Sequence, residues 1–247
     1  LRAEGYLMSD AGTGQVVSAM ERAGVFRLGG TLVGTQAFRL YEGELGVRIG
    51  FGQSAMTDDI DIASFERLSL ALGDRVEEDL AEVFSALKFA PLPSIEKNRV
   101  WRWQQTDRST LVEFLTPSFE EGEPLRDLPA LGVSAQSLHH LNYLIAEPIQ
   151  VPLLYRSGVL VQIPRPERFA IHKLIIADRR RANPDQLKAR KDRAQAEFLI
   201  EVLSEERPED LAEAYEVAME KGPQWRARLE ASLSRMPETR ARLDALR

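Results

Sequence analysis

Asp59 and Asp61 are separated by Ile60 and followed by Ile62. In a β-strand alternate side chains share a face, so the two carboxylates would point one way and the two isoleucines the other, into a core. Two carboxylates on one face repel unless a cation lies between them. The hard cation that suits them is Mg²⁺, which takes one or two carboxylates and completes its shell with water and substrate phosphate. Upstream, Gly29, Gly30 and Thr31 end an apolar run of Val25, Phe26 and Leu28. An amphipathic segment follows as far as Leu45, with Leu32, Val33, Ala37, Leu40 and Tyr41 at helical spacing. Glycines at the start of a helix let backbone N–H groups approach an anion. Taken alone, the glycine pair is equally a tight strand-to-helix turn without a ligand. A phosphate cradle and an acid dyad in one unit together imply nucleotide chemistry.

Composition bounds what can surround these residues. A chain of 247 residues makes one large or two small domains, and 44% hydrophobic with 28% charged residues is ordinary for a soluble globular protein. No apolar run approaches the roughly 18–20 residues needed to span a bilayer, and no signal-peptide pattern opens the chain. The chain has no cysteine, which excludes disulfides and thiolate zinc sites and fits a cytoplasmic location. Its formal net charge is −6, whereas a generic polyanion binder would be basic. Any nucleic-acid contact must therefore come from a local patch.

The elements that must position the acids read as follows. A helix over 12–23 is stopped by Gly24, and Val25 to Leu28 form a short strand. Gly46 to Thr57, with alternating Val47, Ile49 and Phe51, reads as a strand ending in a loop. Asp58 faces away from Asp59 and is not expected to join it. Asp74 to Leu87 is a helix with an apolar stripe. Residues 99–105 and 111–115 form a hairpin around Asp107, and 120–127 is a loop. Ser137 to Ala146 is a short helix whose neighbours His139 and His140 point different ways and make no joint metal site. A second hairpin spans 149–163. From Glu167 onward the chain reads helical, with breaks at Pro184, Pro208, Gln224 and Pro237. The expected fold is α/β or α+β: a mixed-sheet domain over 1–164 and a helical domain over 165–247, with the active site between them.

Gly29-Gly30, a helix, then Asp59-Ile60-Asp61 resembles the nucleotidyltransferase fold of the DNA polymerase β superfamily. The resemblance implies a third acid on a neighbouring strand. Thr110 to Leu115 offers Glu113 between apolar residues. The spacing from glycines to acids is longer than usual in that superfamily, so Gly46 to Met56 would be an inserted loop or hairpin. The implied reaction is Mg²⁺-dependent transfer of a nucleoside monophosphate from an NTP, with pyrophosphate leaving. Asp59, Asp61 and Glu113 would be the metal ligands and catalytic acids, and Gly29, Gly30 and Thr31 would hold phosphates. The acceptor stays open between RNA, a protein hydroxyl and a small molecule, and the oligomeric state is open too.

A second patch is similar to the helical motif of the abortive-infection type nucleotidyltransferase toxins, members of toxin–antitoxin pairs. It comprises Lys173, Arg179 to Arg181, and the pair Lys191-Asp192. The resemblance implies that Lys173, Lys191 and Asp192 bind nucleotide, with Lys173 reaching the triphosphate. Helical spacing places Phe169, Lys173 and Ala177 on one face, which would let a packed lysine stem carry its ammonium to a cleft. An exposed helix lysine is the plainer alternative, and for the arginines a solvated helix end. Two rivals of other classes remain at this point. One is a catalytically silent binding module of the same fold, against which all three acids argue. The other is a metal-dependent nuclease, against which the glycine pair argues.

Overall fold

The computed structural model describes residues 1, 3–50, 57–65, 73–94, 96, 98–118, 124–181 and 186–246. The chain divides into two compact units, one running from Leu1 to Pro164 and one beginning at Arg165.

The first unit opens with helix α1 (Ala11–Arg22), capped by Asp10, whose carboxylate accepts from the Thr13 N–H at 2.9 Å. Val16, Val17 and Met20 form its buried stripe. The expected strand at Val25 to Leu28 is instead a set of turns: the Leu28 N–H bonds Gly24 O and the Gly30 N–H bonds Val25 O. Following a helix so closely, these residues satisfy their backbone locally. Strand β1 comes later, at Thr31–Val33, and helix α2 (Gly34–Leu45) starts only at Gly34. Gly46 ends α2 in the left-handed conformation at φ 68°. The alternation over Val47 to Gly50 forms no strand. Those residues are tied instead to α2, where the buried Glu42 carboxylate accepts from the N–H groups of Leu7 (2.5 Å) and Ile49 (2.9 Å). The remainder of the expected insertion, 51–56, lies outside the described residues.

Strand β2 (Asp59–Ala63) lies between the edge strand β1 and β5 (Leu111–Pro117) in a mixed seven-stranded sheet. It pairs antiparallel with β1 and parallel with β5. β4 (Arg102–Gln105) lies antiparallel on the other side of β5, and β3 (Phe89–Pro91) follows it at the edge. β7 (Val133–Leu138) pairs parallel with the end of β5, and β6 (Leu125–Leu128) pairs antiparallel with β7. Helix α3 (Leu80–Ala86) is capped by Asp79. It is shorter than the 74–87 expected because Val76 donates its N–H to Ala130 O at 2.9 Å, outside any helix. On the core face, Phe84 of α3 meets Trp103 at 5.0 Å, and Trp103 meets Phe114 edge-on at 5.5 Å. Aromatic burial of this kind dominates core energetics. Residues 125–127, expected in a loop, belong to β6. Ser137 and Leu138, expected in a helix, belong to β7, and the helix there, α4 (Leu141–Leu144), is a single turn. A separate hairpin of β8 (Ile149–Leu153) and β9 (Val159–Ile163) completes the unit.

The second unit contains α5 (Pro166–Arg179), α6 (Gln186–Glu206), α7 (Pro208–Glu220), α8 (Pro223–Leu233) and α9 (Pro237–Asp244). α5 is the central helix. Eleven of its fourteen residues are buried, which is the signature of a helix surrounded on all sides. α6, α7 and α8 pack against it. Proline at the start of each of α5, α7, α8 and α9 presets the helical φ where no donor is missed. No helix among the described residues is long and apolar enough to cross a membrane.

α5 also buries Glu167, whose carboxylate lies 3.8 Å from Arg165 and 3.7 Å from Arg207. Burial outweighs these cations and raises its pKa above the ordinary glutamate value. An acid with a raised folded pKa contributes stability that is fully present below its unfolded pKa, about 4.3, and lost as pH rises through the folded value. Glu167→Gln is therefore expected to melt with a flatter pH profile and to gain on the wild type as pH rises. Thermal melts of both proteins from acid to neutral pH decide this, and parallel curves would show that burial does not dominate at Glu167.

Candidate functional site

The parallel register of β2 and β5 sets Asp59 opposite Leu111, Ile60 opposite Val112 and Asp61 opposite Glu113. Residues opposite one another share a face of the sheet, and so do residues two apart on one strand. Asp59, Asp61 and Glu113 thus lie on one face, Asp59 exposed and the other two half-buried. Ile60, Ile62, Val112 and Phe114 lie on the other and are fully buried. Asp58 is turned elsewhere and accepts from the Ser109 hydroxyl at 2.6 Å, tying the entry of β2 to that of β5.

The row extends one strand further. Arg102 on β4 stands opposite Glu113, on the acid face. Its guanidinium carbon lies 4.9 Å from the Trp101 ring centroid, and its Nε is buried without a hydrogen-bond partner. This residue was missed by the sequence reading, although the alternation of Arg102 with Trp101 and Trp103 was visible. Deciding its face needed the pairing partner. A cleft of about 940 Å³, lined in part by Phe89, Trp103, Asp127 and Val133, contains none of the three acids. The acid row is thus no part of that cleft.

The glycines sit differently from expectation. The N–H groups of Gly29 and Gly30 bond Phe26 O and Val25 O, so the turn itself uses them. Gly30 is pressed so closely on Val25 that a Cβ would come within 2.6 Å of the valine side chain. Thr31 is buried at the start of β1 and its hydroxyl faces Gly29 O at 3.4 Å. The helix start nearest the acids is Gly34, which is held at φ 65°, and any Cβ there would collide with the Asp61 carboxylate. Asp61 therefore rests on the first turn of α2, where no side chain caps the helix and the dipole presents partial positive charge. Gly34 is the second position that sequence reasoning missed. The signal was Leu32-Val33 running straight into Gly-Thr and a helical period.

In the second unit the structure brings Lys173 and Asp192 together. Lys173 Nζ lies 2.6 Å from Asp192 Oδ1, and Arg180 reaches the other oxygen at 2.9 Å. Both partners of the first pair are buried, and the lysine ammonium also lies 5.1 Å from the Phe169 ring centroid. Lys191, the neighbour of Asp192, is half-buried. Arg181 and Arg228 bind Asp178, each at 3.3 Å. Two of the three arginines at the end of α5 thus neutralise buried carboxylates and are not merely solvated.

The acids offer only oxygen donors on one face, which fits a hard cation such as Mg²⁺ in type. Among the described residues, no three acid or histidine side chains are gathered closely enough to hold a metal. Bringing the three carboxylates onto one ion requires a rearrangement of side chains, since Asp61 is packed on Gly34 and both Asp61 and Glu113 have other partners.

Gly29 and Gly34 make a controlled comparison. Both have positive φ, but a methyl at Gly29 meets open space. Gly29→Ala is expected to cost only the backbone strain, about 1–2 kcal/mol. Gly34→Ala should cost more, because the methyl also displaces the Asp61 carboxylate. Chemical denaturation of the two variants checks this, and equal losses would mean that Asp61 does not depend on the bare glycine.

A family model described as nucleotidyltransferase matches residues 11–220. No curated protein matches the chain. An antigenic nucleotidyltransferase-like protein from Paracoccidioides brasiliensis is similar in structure, at 12% identity and a TM-score of 0.43, over 90% of this chain and 94% of that one. The antibiotic-resistance factor ANT(2'')-Ia is similar at 12% identity and a TM-score of 0.40, over 93% of this chain and 95% of that one. With the family model spanning most of its length, the chain belongs to the nucleotidyltransferases, transferase enzymes that move a nucleoside monophosphate.

Proposed function

We propose that this nucleotidyltransferase moves a nucleoside monophosphate from an NTP to a hydroxyl acceptor on the acid face of the sheet, with Asp59, Asp61 and Glu113 holding Mg²⁺. The observation that carries the proposal is the register Asp61–Glu113, with Asp59 two residues away and the core on the opposite face. Mg²⁺, when bound, would neutralise charge on the phosphate oxygens. The acceptor oxygen forms a bond to the α-phosphorus, and the bond from that phosphorus to the pyrophosphate oxygen breaks. Glu113 is suited to complete the metal site or to take the hydroxyl proton. Arg102 beside it would offset phosphate charge. The helix start at Gly34 offers N–H groups to a phosphate, and Gly29, Gly30 and Thr31 shape the strand that leads there. RNA ends, protein hydroxyls and small molecules all carry a suitable acceptor group. The cysteine-free composition favours a cytoplasmic setting.

Asp59→Asn with Asp61→Asn is expected to abolish Mg²⁺-dependent NTP binding while the fold persists. Without metal, the double variant should melt no lower than the wild type, because a carboxylate repulsion is removed. Titration of NTP with and without Mg²⁺ checks the first point and a melting curve the second. Undiminished Mg²⁺-dependent binding would remove the dyad from the metal site. Incubation with labelled NTP, Mg²⁺ and total cell RNA or protein then identifies the acceptor, since label on a macromolecule means transfer and shortened RNA means hydrolysis.

Lys173, Lys191 and Asp192 are proposed to bind nucleotide, as the family resemblance implies. For Lys173 this role is separable from its bond to Asp192. Breaking a buried ion pair by removing one partner costs about 3–5 kcal/mol, and Arg180, still on Asp192, should hold the loss for Lys173→Ala to the lower end. A nucleotide contact predicts in addition a roughly 10- to 150-fold loss of NTP affinity in the folded variant, equivalent to about 1.5–3 kcal/mol. A stability loss with unchanged affinity would leave Lys173 as a strut of the helical unit.

A further inference from the structure

The helical unit carries a group of cations that none of the roles above uses. Arg190 and Arg193 lie three apart on α6 and so share a face. Arg235 lies in the short connection between α8 and α9. The three line a cleft of about 380 Å³, together with Glu197, Pro237 and Glu238. Several arginines of this unit are matched to acids: Arg180 to Asp192, Arg181 and Arg228 to Asp178, Arg207 to Glu167 and Arg242 to Glu201. Arg190, Arg193 and Arg235 differ. Among the described residues, none of them lies within ion-pair distance of a carboxylate, although two glutamates share the cleft lining.

Three like charges around one cavity repel. The pKa of Arg193 is lowered by burial first, then by Arg235 and Arg190, with the charge of Asp192 opposing the shift less strongly. A guanidinium stays protonated near neutrality all the same, so loss of a proton does not relieve the repulsion, whereas an anion would. Guanidinium forks match the oxygens of phosphate in pairs. Pro237 and Glu238 lie in the first turn of α9, where the Glu238 carboxylate opposes the partial positive charge of the helix start, so the arginines are the cleft's source of positive charge. Its volume is at the small end of ligand sites, which run from about 300 to 1,000 Å³, and suits a ligand of nucleotide size. The whole chain carries a net charge of −6 and would repel a polyanion, so a metal-free phosphate contact is favoured where cations gather without ion-pair partners.

We infer that the cleft of Arg190, Arg193 and Arg235 binds a phosphate ester, the phosphate of either a free nucleotide or a nucleic-acid strand. The site needs neither the β2 acids nor a metal, so it stands or falls apart from the transfer reaction.

The test uses the full chain in chelator, so that metal-dependent binding is silent. Inorganic phosphate, AMP and a fluorescently labelled short single-stranded RNA are titrated across a salt series. The proteins are the wild type, Arg193→Ala with Arg235→Ala, Arg193→Lys, and Asp59→Asn with Asp61→Asn. The expected result is binding of AMP or RNA by the wild type and by the aspartate variant. The double arginine variant should bind at least about tenfold more weakly, one decade per about 1.4 kcal/mol, and Arg193→Lys should lie between. For RNA, the slope of log affinity against log salt should become shallower by about 0.7 for each phosphate that is no longer neutralised. Competition by AMP and inorganic phosphate assigns a mononucleotide-sized pocket, and RNA binding that AMP does not displace assigns a strand. Melting curves should show the arginine variants no less stable, since repulsion is removed. Failure of every probe to bind the wild type overturns the inference. So does binding that survives the double arginine variant, or binding lost only in the aspartate variant.

Discussion

The parallel pairing of β2 with β5 is the constraint on which the candidate site depends. Parallel neighbours cannot be joined by a tight turn, so the chain between them must leave the sheet and return. It does so through α3, β3 and β4, and β4 then flanks β5 on its far side. One crossover thereby delivers both a carboxylate beside Asp61 and a guanidinium beside Glu113. A register slip of one residue would swap Glu113 for Val112 or Phe114 on the acid face. The complete burial of Ile60, Ile62, Val112 and Phe114 forbids it, because a slip would expose two of these side chains and bury a carboxylate against Trp103 and Phe84. The core face thus determines the chemistry of the opposite face.

The helical unit solves a different problem. It buries three carboxylates, Glu167, Asp178 and Asp192, and gives each two cations. Buried pairs add little net stability, but an unmatched buried charge is expensive, so such bridges discriminate among helix arrangements. Asp192 links α6 to Lys173 of α5 and to Arg180 just past its end, and Asp178 links α5 to Arg228 of α8. A rotation of either partner helix would strand a carboxylate in the interior. Specific packing of these helices around α5 follows from where the cations can reach as much as from apolar fit. At Glu167 the match is looser, with cations near 3.8 Å and no hydrogen bond to either oxygen, and there burial wins.

What was legible in the sequence follows from how local each signal is. Asp-Ile-Asp-Ile is self-sufficient, since period-two alternation states both the strand and its faces. The helices after Pro166 announced themselves through proline starts and long apolar stripes. The three-residue strand Thr31–Val33 is too short to show a period, and the Gly29-Gly30 pair is a stronger local turn signal than the single Gly34. β3 is equally short and β6 only one residue longer, and β6 contains Arg126 and Asp127, which read as a loop. Lys173 and Asp192 could be named but not joined, because the bond spans two helices and depends on their rotation. Arg102 shows the same limit in a sheet: its alternation was readable, but its place beside Glu113 is a property of pairing.

The position of Asp61 joins these strands of argument. The acid face is negative, yet under the proposed function it would receive a more negative substrate. In the structure Asp61 is packed on the first turn of α2, where the helix dipole partly offsets its charge. That same turn is the natural seat of a phosphate. Carboxylate and phosphate cannot both occupy it without repulsion, so an anion arriving there favours a rotation of Asp61 away from Gly34. The face it rotates toward holds Asp59 and Glu113, where a third carboxylate is tolerable only with a cation between them. Under the proposed function, cation and phosphate would therefore assist one another: Asp61 drawn toward a cation would leave the helix start to the phosphate. The bare Cα at Gly34 permits the close approach of Asp61 on which this proposed competition rests, so the backbone conformation of one glycine would bear on the order in which the site fills.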